Sequence, residues 1–288
     1  MTRKALGLVS ALAIAAAFGV GACSTTAGGA SLAPPAVAPA PGPEAVDTHT
    51  YARPEIARVV DVALDLTADF DARTLSGTAT LDILAAPGAN EVILDIKNLD
   101  IQDVRDAAGQ PLRFVVGDDD AIKGQPLTVY FPAFAENERR KIVVRYATRP
   151  DASALQWLSP SQTAGGQKPY LFSQGQAILT RTWVPTQDSP GVRQTYSARI
   201  VAPDDLTVVM SADHLTPDGE PAGPGRKAWR FRMNNPIPPY LIALGVGDIA
   251  FAPFDRRTGV WTEPGRLAAA QWELEPTARM VDAAEKLY

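Results

Sequence analysis

Histidine and cysteine are almost missing: the 288 residues include two histidines, His49 and His214, and one cysteine, Cys23. One thiol cannot form an intramolecular disulfide, a Cys-rich zinc module or a CxxC redox pair, and two imidazoles fall short of a three-ligand zinc site. His49 reads as part of a tether and His214 as a turn after a strand, both solvated. Basic clusters are missing as well. With 32 acidic against 27 basic side chains the formal charge is −5, so no surface is expected to neutralise a phosphate backbone, and nucleic acid is excluded as a partner. The 25 prolines and 22 glycines argue against an all-helical bundle. No HExxH, GxxxxGK, GxSxG or GxGxxG occurs, which removes the common metal, phosphate and nucleophile arrangements. What is present, 46% hydrophobic and 20% charged residues, can bury the core of one large domain or two.

The first segment reads as an address. Arg3 and Lys4 precede an uncharged, Ala-rich run from Ala5 to Val20, the order of a secretory signal peptide. That run of about 16 residues is shorter than the ~20 needed to cross a bilayer as a helix. Val20-Gly21-Ala22-Cys23 resembles the bacterial lipobox, which implies removal of residues 1–22 and lipidation of Cys23. Two or three acyl chains would hold the protein on a membrane of the bacterial cell envelope, facing the periplasm or in the outer membrane. Residues 23–48 then form a lipidated, Ala/Pro-rich tether with too few large apolar groups to fold.

The body reads as strands. Val60, Val62, Leu64 and Leu66 alternate with Asp61, Ala63, Asp65 and Thr67, the pattern of a half-buried antiparallel strand. Residues 75–83 repeat it after a turn, predicting a hairpin. Further strands are expected at 91–96, 101–106, 127–131, 141–147, 193–202, 207–211 and 227–234, spaced as in a sandwich or large curved sheet. Asp118-Asp119-Asp120 lacks the oxygen spacing of a calcium loop and reads as a solvated turn. After Pro264 the pattern turns helical through Leu267, Leu274, Met280, Val281 and Leu287. A β domain followed by the first helices of something else suggests a truncated piece.

Four segments carry a resemblance. ALQWLSP, PYLFSQGQAI and RTWVPTQDSPGVRQTYSARIVAP lie in order within residues 154–203, and IPPYLIALGVGD follows at 237–248. Together they closely resemble the zinc aminopeptidases of the leukotriene A4 hydrolase and aminopeptidase B type, over roughly residues 50–288. The resemblance implies a mainly β fold: a saddle-like amino-terminal β-sandwich domain over 49–252, then the start of an α-rich, thermolysin-like catalytic domain over 253–288. It implies one zinc ion in the full-length enzyme, with ligands outside this chain, and peptide substrates losing amino-terminal residues. The 288-residue chain alone is expected to be inactive, and no catalytic or metal residue is assigned in it. Epoxide hydrolysis, known in one branch of the family, cannot be inferred.

One matching segment reaches the family's active site. Gln176 matches a position that projects toward substrate, and Gln174, placed on the same sheet face by a period of two, is the second candidate substrate-binding residue. A carboxamide can accept from an ammonium and donate to a peptide carbonyl. Arg181, Pro185, Asp188 and Pro190 match an R-x-x-x-P-x-x-D-x-P pattern and are expected to shape the domain, while Tyr240 is expected in the core. The competing expectation is a non-catalytic, β-rich binding lipoprotein.

Overall fold

The computed structural model describes residues 47–133 and 139–288; the segment read as a signal peptide, Cys23 and nearly all of the span read as a tether lie outside the described residues. In chain order the strands are β1 (Ala57–Asp69), β2 (Thr74–Ala85), β3 (Glu91–Ile96), β4 (Asp100–Asp106), β5 (Phe114–Val116) and β6 (Gln125–Tyr130). Then come β7 (Arg139–Ala147), β8 (Leu155–Leu158), β9 (Tyr170–Ser173), β10 (Gln194–Pro203), β11 (Thr207–Met210) and β12 (Asp213–His214). The series ends with β13 (Glu220–Pro221), β14 (Arg226–Ile237), β15 (Leu244–Gly247), β16 (Ala250–Pro253), β17 (Gly259–Thr262) and helices α1 (Leu267–Leu274) and α2 (Thr277–Leu287).

Eight strands form one sheet in the order β12-β14-β10-β1-β2-β7-β4, with β13 beside β14. β1 and β2 make the expected hairpin, Leu64 opposite Ala79. Gly77 is fixed here by space: a Cβ would stand 2.0 Å from the Asp65 carbonyl. On its other side β1 runs parallel to β10, Leu64 beside Ala198, a pairing that local alternation does not reveal. β11-β15-β9-β8 and β3-β6-β5 are smaller sheets, and β16 and β17 are a separate hairpin.

Alternation decides which side of the large sheet is apolar. Val62, Leu64 and Leu66 of β1, Leu81 and Ile83 of β2 and Val144 and Tyr146 of β7 are all buried. They join Leu94 and Leu127 from one small sheet, and Leu171 and Val246 from the other, in one contiguous core. Each fully buried aliphatic side chain contributes ~1.5–3 kcal/mol of transfer free energy. The intervening residues, Asp61, Ala63 and Asp65 among them, face away from that core and remain partly accessible.

The structure changes two readings, those of Asp47 and His214. Asp47, inside the span read as tether, is hydrogen-bonded to the β domain: its Oδ2 accepts from the Ser189 hydroxyl at 2.6 Å. His214 belongs to β12 and not to a solvated turn: it stacks on Phe231 with ring centroids 4.6 Å apart, its Nε2 is buried without a partner, and burial holds its pKa below the ordinary histidine value. The helical segment forms as expected, yet neither helix buries a residue; Trp272 and Met280 are 81% and 66% exposed.

Candidate functional site

The segment bearing Gln174 and Gln176 leaves the sheet. β9 ends at Ser173, so the two glutamines occupy a loop and turn and do not share a strand face. The reason is local: the Leu179 amide donates to the Gly175 carbonyl at 2.8 Å, bending the chain before the pairing can continue. The Gln176–Ala177 peptide is cis. Both glutamine side chains are exposed, and Gln174 Oε1 accepts from the Gln176 backbone amide at 3.2 Å. Gln174 thus braces the loop, and the Gln176 carboxamide stands at its surface.

The loop is anchored at its start and just beyond its end. Gln174 donates its amide hydrogen to the Ala154 carbonyl at 2.8 Å, and Ser173 Oγ accepts from the Leu244 amide at 2.8 Å. The Thr182 hydroxyl accepts from the Ala154 amide at 3.0 Å and donates to the Leu179 carbonyl at 2.8 Å. Between these anchors Gly175 is buried against Tyr240 and Thr180. A Cβ on Gly175 would lie 2.6 Å from Thr180 Oγ1 and 2.9 Å from the Tyr240 carbonyl oxygen. Tyr240 itself is half-buried, so it presents backbone to the loop rather than filling the core.

Immediately after the loop the chain enters a buried polar knot, with residues 181–189 all buried. Arg181 is fully buried: its backbone amide and Nε donate to Asp188 Oδ2 at 3.0 and 3.1 Å, Nη2 to the Asp188 carbonyl at 2.9 Å, and Nη1 to the Lys123 carbonyl at 2.6 Å. Asp95, also fully buried, has Oδ2 4.0 Å from Arg181 Nη2. It accepts from the Tyr51 amide at 2.7 Å, the Asp188 amide at 2.9 Å and the Thr50 hydroxyl. Gln187 joins three strand neighbours by accepting from Val59 and donating to Ala57 and Ile93. Burial pushes Asp188 up to about 6 and raises Asp95, against the lowering influence of Arg181. Two carboxylates sharing one buried guanidinium make a structural knot. Pro190, in contrast, is exposed.

The spacing pattern found Arg181 and Asp188 but not Asp95. Its signal was present: Asp95 is the one charge inside the run Val92-Ile93-Leu94-Asp95-Ile96, and a lone carboxylate on a buried strand implies a partner. In the triple-aspartate turn, Asp120 Oδ1 accepts from the Ile122 and Lys123 amides, a turn-capping role. Among the described residues no group of three or more His, Cys, Asp or Glu is arranged to hold a metal. His49 lies exposed beside Asp47 and His214 against Phe231, so the described donors do not fit a zinc ion.

A large mixed sheet, two small sheets packed on its apolar side and a braced loop beside a buried Arg–Asp knot define a domain class. The chain belongs to the peptidase M1 N-terminal domain family, whose model matches residues 49–241. It is 36% identical over 244 residues to a leukotriene A-4 hydrolase of Xenopus laevis, covering 84% of this chain and 40% of that protein. It is 36% identical over 256 residues to aminopeptidase B of Rattus norvegicus, covering 80% and 37%. The native leukotriene A4 hydrolase of Saccharomyces cerevisiae superposes with a TM-score of 0.75 at 31% identity, over 86% of this chain and 38% of that one. An M1 zinc metallopeptidase from Deinococcus radiodurans shares the fold, with a TM-score of 0.56 at 22% identity. The chain spans about two fifths of the length of the curated relatives it matches.

Proposed function

We propose that this chain is the amino-terminal β domain of a zinc aminopeptidase that removes amino-terminal residues from peptides, and that Gln176 and Gln174 belong to its substrate end. The observation that carries the reading is the loop: an exposed carboxamide at Gln176 on a segment hydrogen-bonded at both ends, in a chain 36% identical to aminopeptidase B. Relatives bear the names leukotriene A-4 hydrolase, leucine aminopeptidase 2 and aminopeptidase B, and a yeast relative was solved with bestatin. The zinc of the longer protein is proposed from this family membership alone. The non-catalytic binding lipoprotein gains nothing from these likenesses.

In this reading the Gln176 amide oxygen accepts a hydrogen from the substrate's terminal ammonium and its NH2 donates to the first peptide carbonyl, fixing the end of the peptide. Gln174 holds the Gln176 backbone amide and so sets the direction of that side chain. Lipidation of Cys23 would place the enzyme on an envelope membrane.

The test is Gln176→Ala in the full-length enzyme. Loss of one hydrogen bond to a charged group, ~1.5–3 kcal/mol, lowers kcat/KM roughly 10- to 150-fold on aminoacyl substrates, with folding and zinc content intact. Gln176→Glu keeps the acceptor and retains more activity than the alanine variant. Wild-type kcat/KM for Gln176→Ala across several substrates removes Gln176 from the site.

A further inference from the structure

On the large sheet's outer face, alternation lays a floor of short side chains across the central strands: Ala63 of β1, Thr78 and Thr80 of β2, and Thr195 and Ser197 of β10. Cations stand on both sides of this floor. Arg139 and Lys141 come from β7, Arg199 from β10, Arg230 and Arg232 from β14, and Arg193 from the residue preceding β10. Between them lie two hollows of about 610 and 400 Å³, both lined by β1, β2, β10 and β14. Along β1 they extend from Val60 to Asp65, roughly 17 Å at ~3.3 Å per residue.

Charge on this face opposes that of the whole molecule. Six cations line the hollows against Asp61, Asp65 and Asp82, and one positive charge remains in excess after counting Glu220, which pairs with Arg230, and Asp213, which lies opposite Arg232 in register. The protein as a whole carries −5. The three aspartates are already held: Asp61 by Arg232 at 3.0 Å, Asp65 by Arg199 at 2.9 Å and Asp82 by Arg139 at 3.8 Å. Lys141 and Arg193 are exposed and make no side-chain ion pair or hydrogen bond among the described residues.

These features suit a chain that is both acidic and rich in hydroxyls. Its anions can take up Lys141 and Arg193, while the threonine and serine floor meets its hydroxyls. Phe231, the one aromatic residue lining the hollows, is 1% exposed, so bases of a single-stranded nucleic acid find no stacking platform. Leu215 is the only large apolar lining residue among the exposed ones, and the surface is hollow, which does not suit a lipid leaflet. We propose that this face binds a linear acidic polysaccharide, with Lys141 and Arg193 as its principal anion contacts. The proposal is independent of the peptidase reading and uses none of the residues named for it.

The full chain is titrated calorimetrically with polygalacturonate and heparin fragments, with neutral dextran as control. The expected result is binding to at least one acidic glycan, none to dextran, and an affinity that falls as salt screens the exposed charges. Lys141→Gln combined with Arg193→Gln should weaken binding roughly tenfold, since two exposed ion contacts are removed, with the circular dichroism spectrum unchanged. Failure of both acidic glycans to bind at low salt overturns the proposal. Equal binding by the double variant also overturns it, as does tighter binding of oligonucleotides or anionic vesicles through the same two residues.

Discussion

Replacing Arg181 by methionine probes the buried polar knot most directly. Methionine keeps much of the side-chain length but removes the cation between Asp95 and Asp188, which are 0% and 1% exposed, and leaves the Asp188 and Lys123 carbonyls without their guanidinium donors. Removing one partner of a buried pair costs ~3–5 kcal/mol because the remaining charge is uncompensated. For a domain of this size each kcal/mol moves Tm by about 2–4 °C, so the fall should be roughly 6–20 °C. A pH signature accompanies it. Asp188 is raised to about 6 in the native state from an unfolded value of 3.8, so the native state holds its proton more tightly. The corresponding contribution is fully present below the unfolded value and is lost as pH rises through the folded one, about 3 kcal/mol at ~1.36 kcal/mol per unit. Without Arg181 the lowering influence on both carboxyls disappears, and this loss should extend to higher pH. Scanning calorimetry of wild type and variant at about pH 5 and about pH 8 checks both effects. A Tm within a degree or two of wild type, or an identical pH slope, would refute the reasoning.

Gly175→Ala should lower Tm and disturb the loop, since its Cβ meets Thr180 Oγ1 and the Tyr240 carbonyl; overpacking of this kind costs ~1–3 kcal/mol, and an unchanged melting curve would show that the loop yields freely. The 288-residue chain should carry no stoichiometric zinc by metal analysis, because neither described histidine has the neighbours of a metal site; tight one-to-one zinc would contradict this. Cys23→Ser should abolish acylation and leave the precursor uncut by lipoprotein signal peptidase; unchanged partition into a detergent phase would dispose of the lipid anchor.

Legibility in the sequence followed the range of the interactions. The β1–β2 hairpin was readable because both strands alternate and the turn between them is short. β3 was readable to the residue, yet the consequence of its Asp95 was not, since the partners Tyr51, Arg181 and Asp188 come from distant segments. β8 and β9 were not read as strands, although the wording of their sequence carried the family resemblance. Gln174 and Gln176 were singled out through that resemblance, and the alternation that set them on one strand face stops at Ser173. His214 was read from its Gly- and Pro-rich surroundings, whereas Phe231, on the neighbouring β14, fixes its environment.

The place of β1 has a consequence for how the chain folds. Its first neighbour, β2, is adjacent in sequence, but its second, β10, is parallel and arrives far later: Asp61 and Thr195, which pair in register, are 134 residues apart. Closing so long a loop must precede the reward of pairing, so high contact order should make completion of the central sheet slow. Until β10 docks, the hairpin presents one edge of β1, with Val62, Leu64 and Leu66 on one side, to any other extended segment. Nascent chains that end before β10 should therefore be the species most in need of a holding chaperone, and the most prone to associate through that unfinished edge.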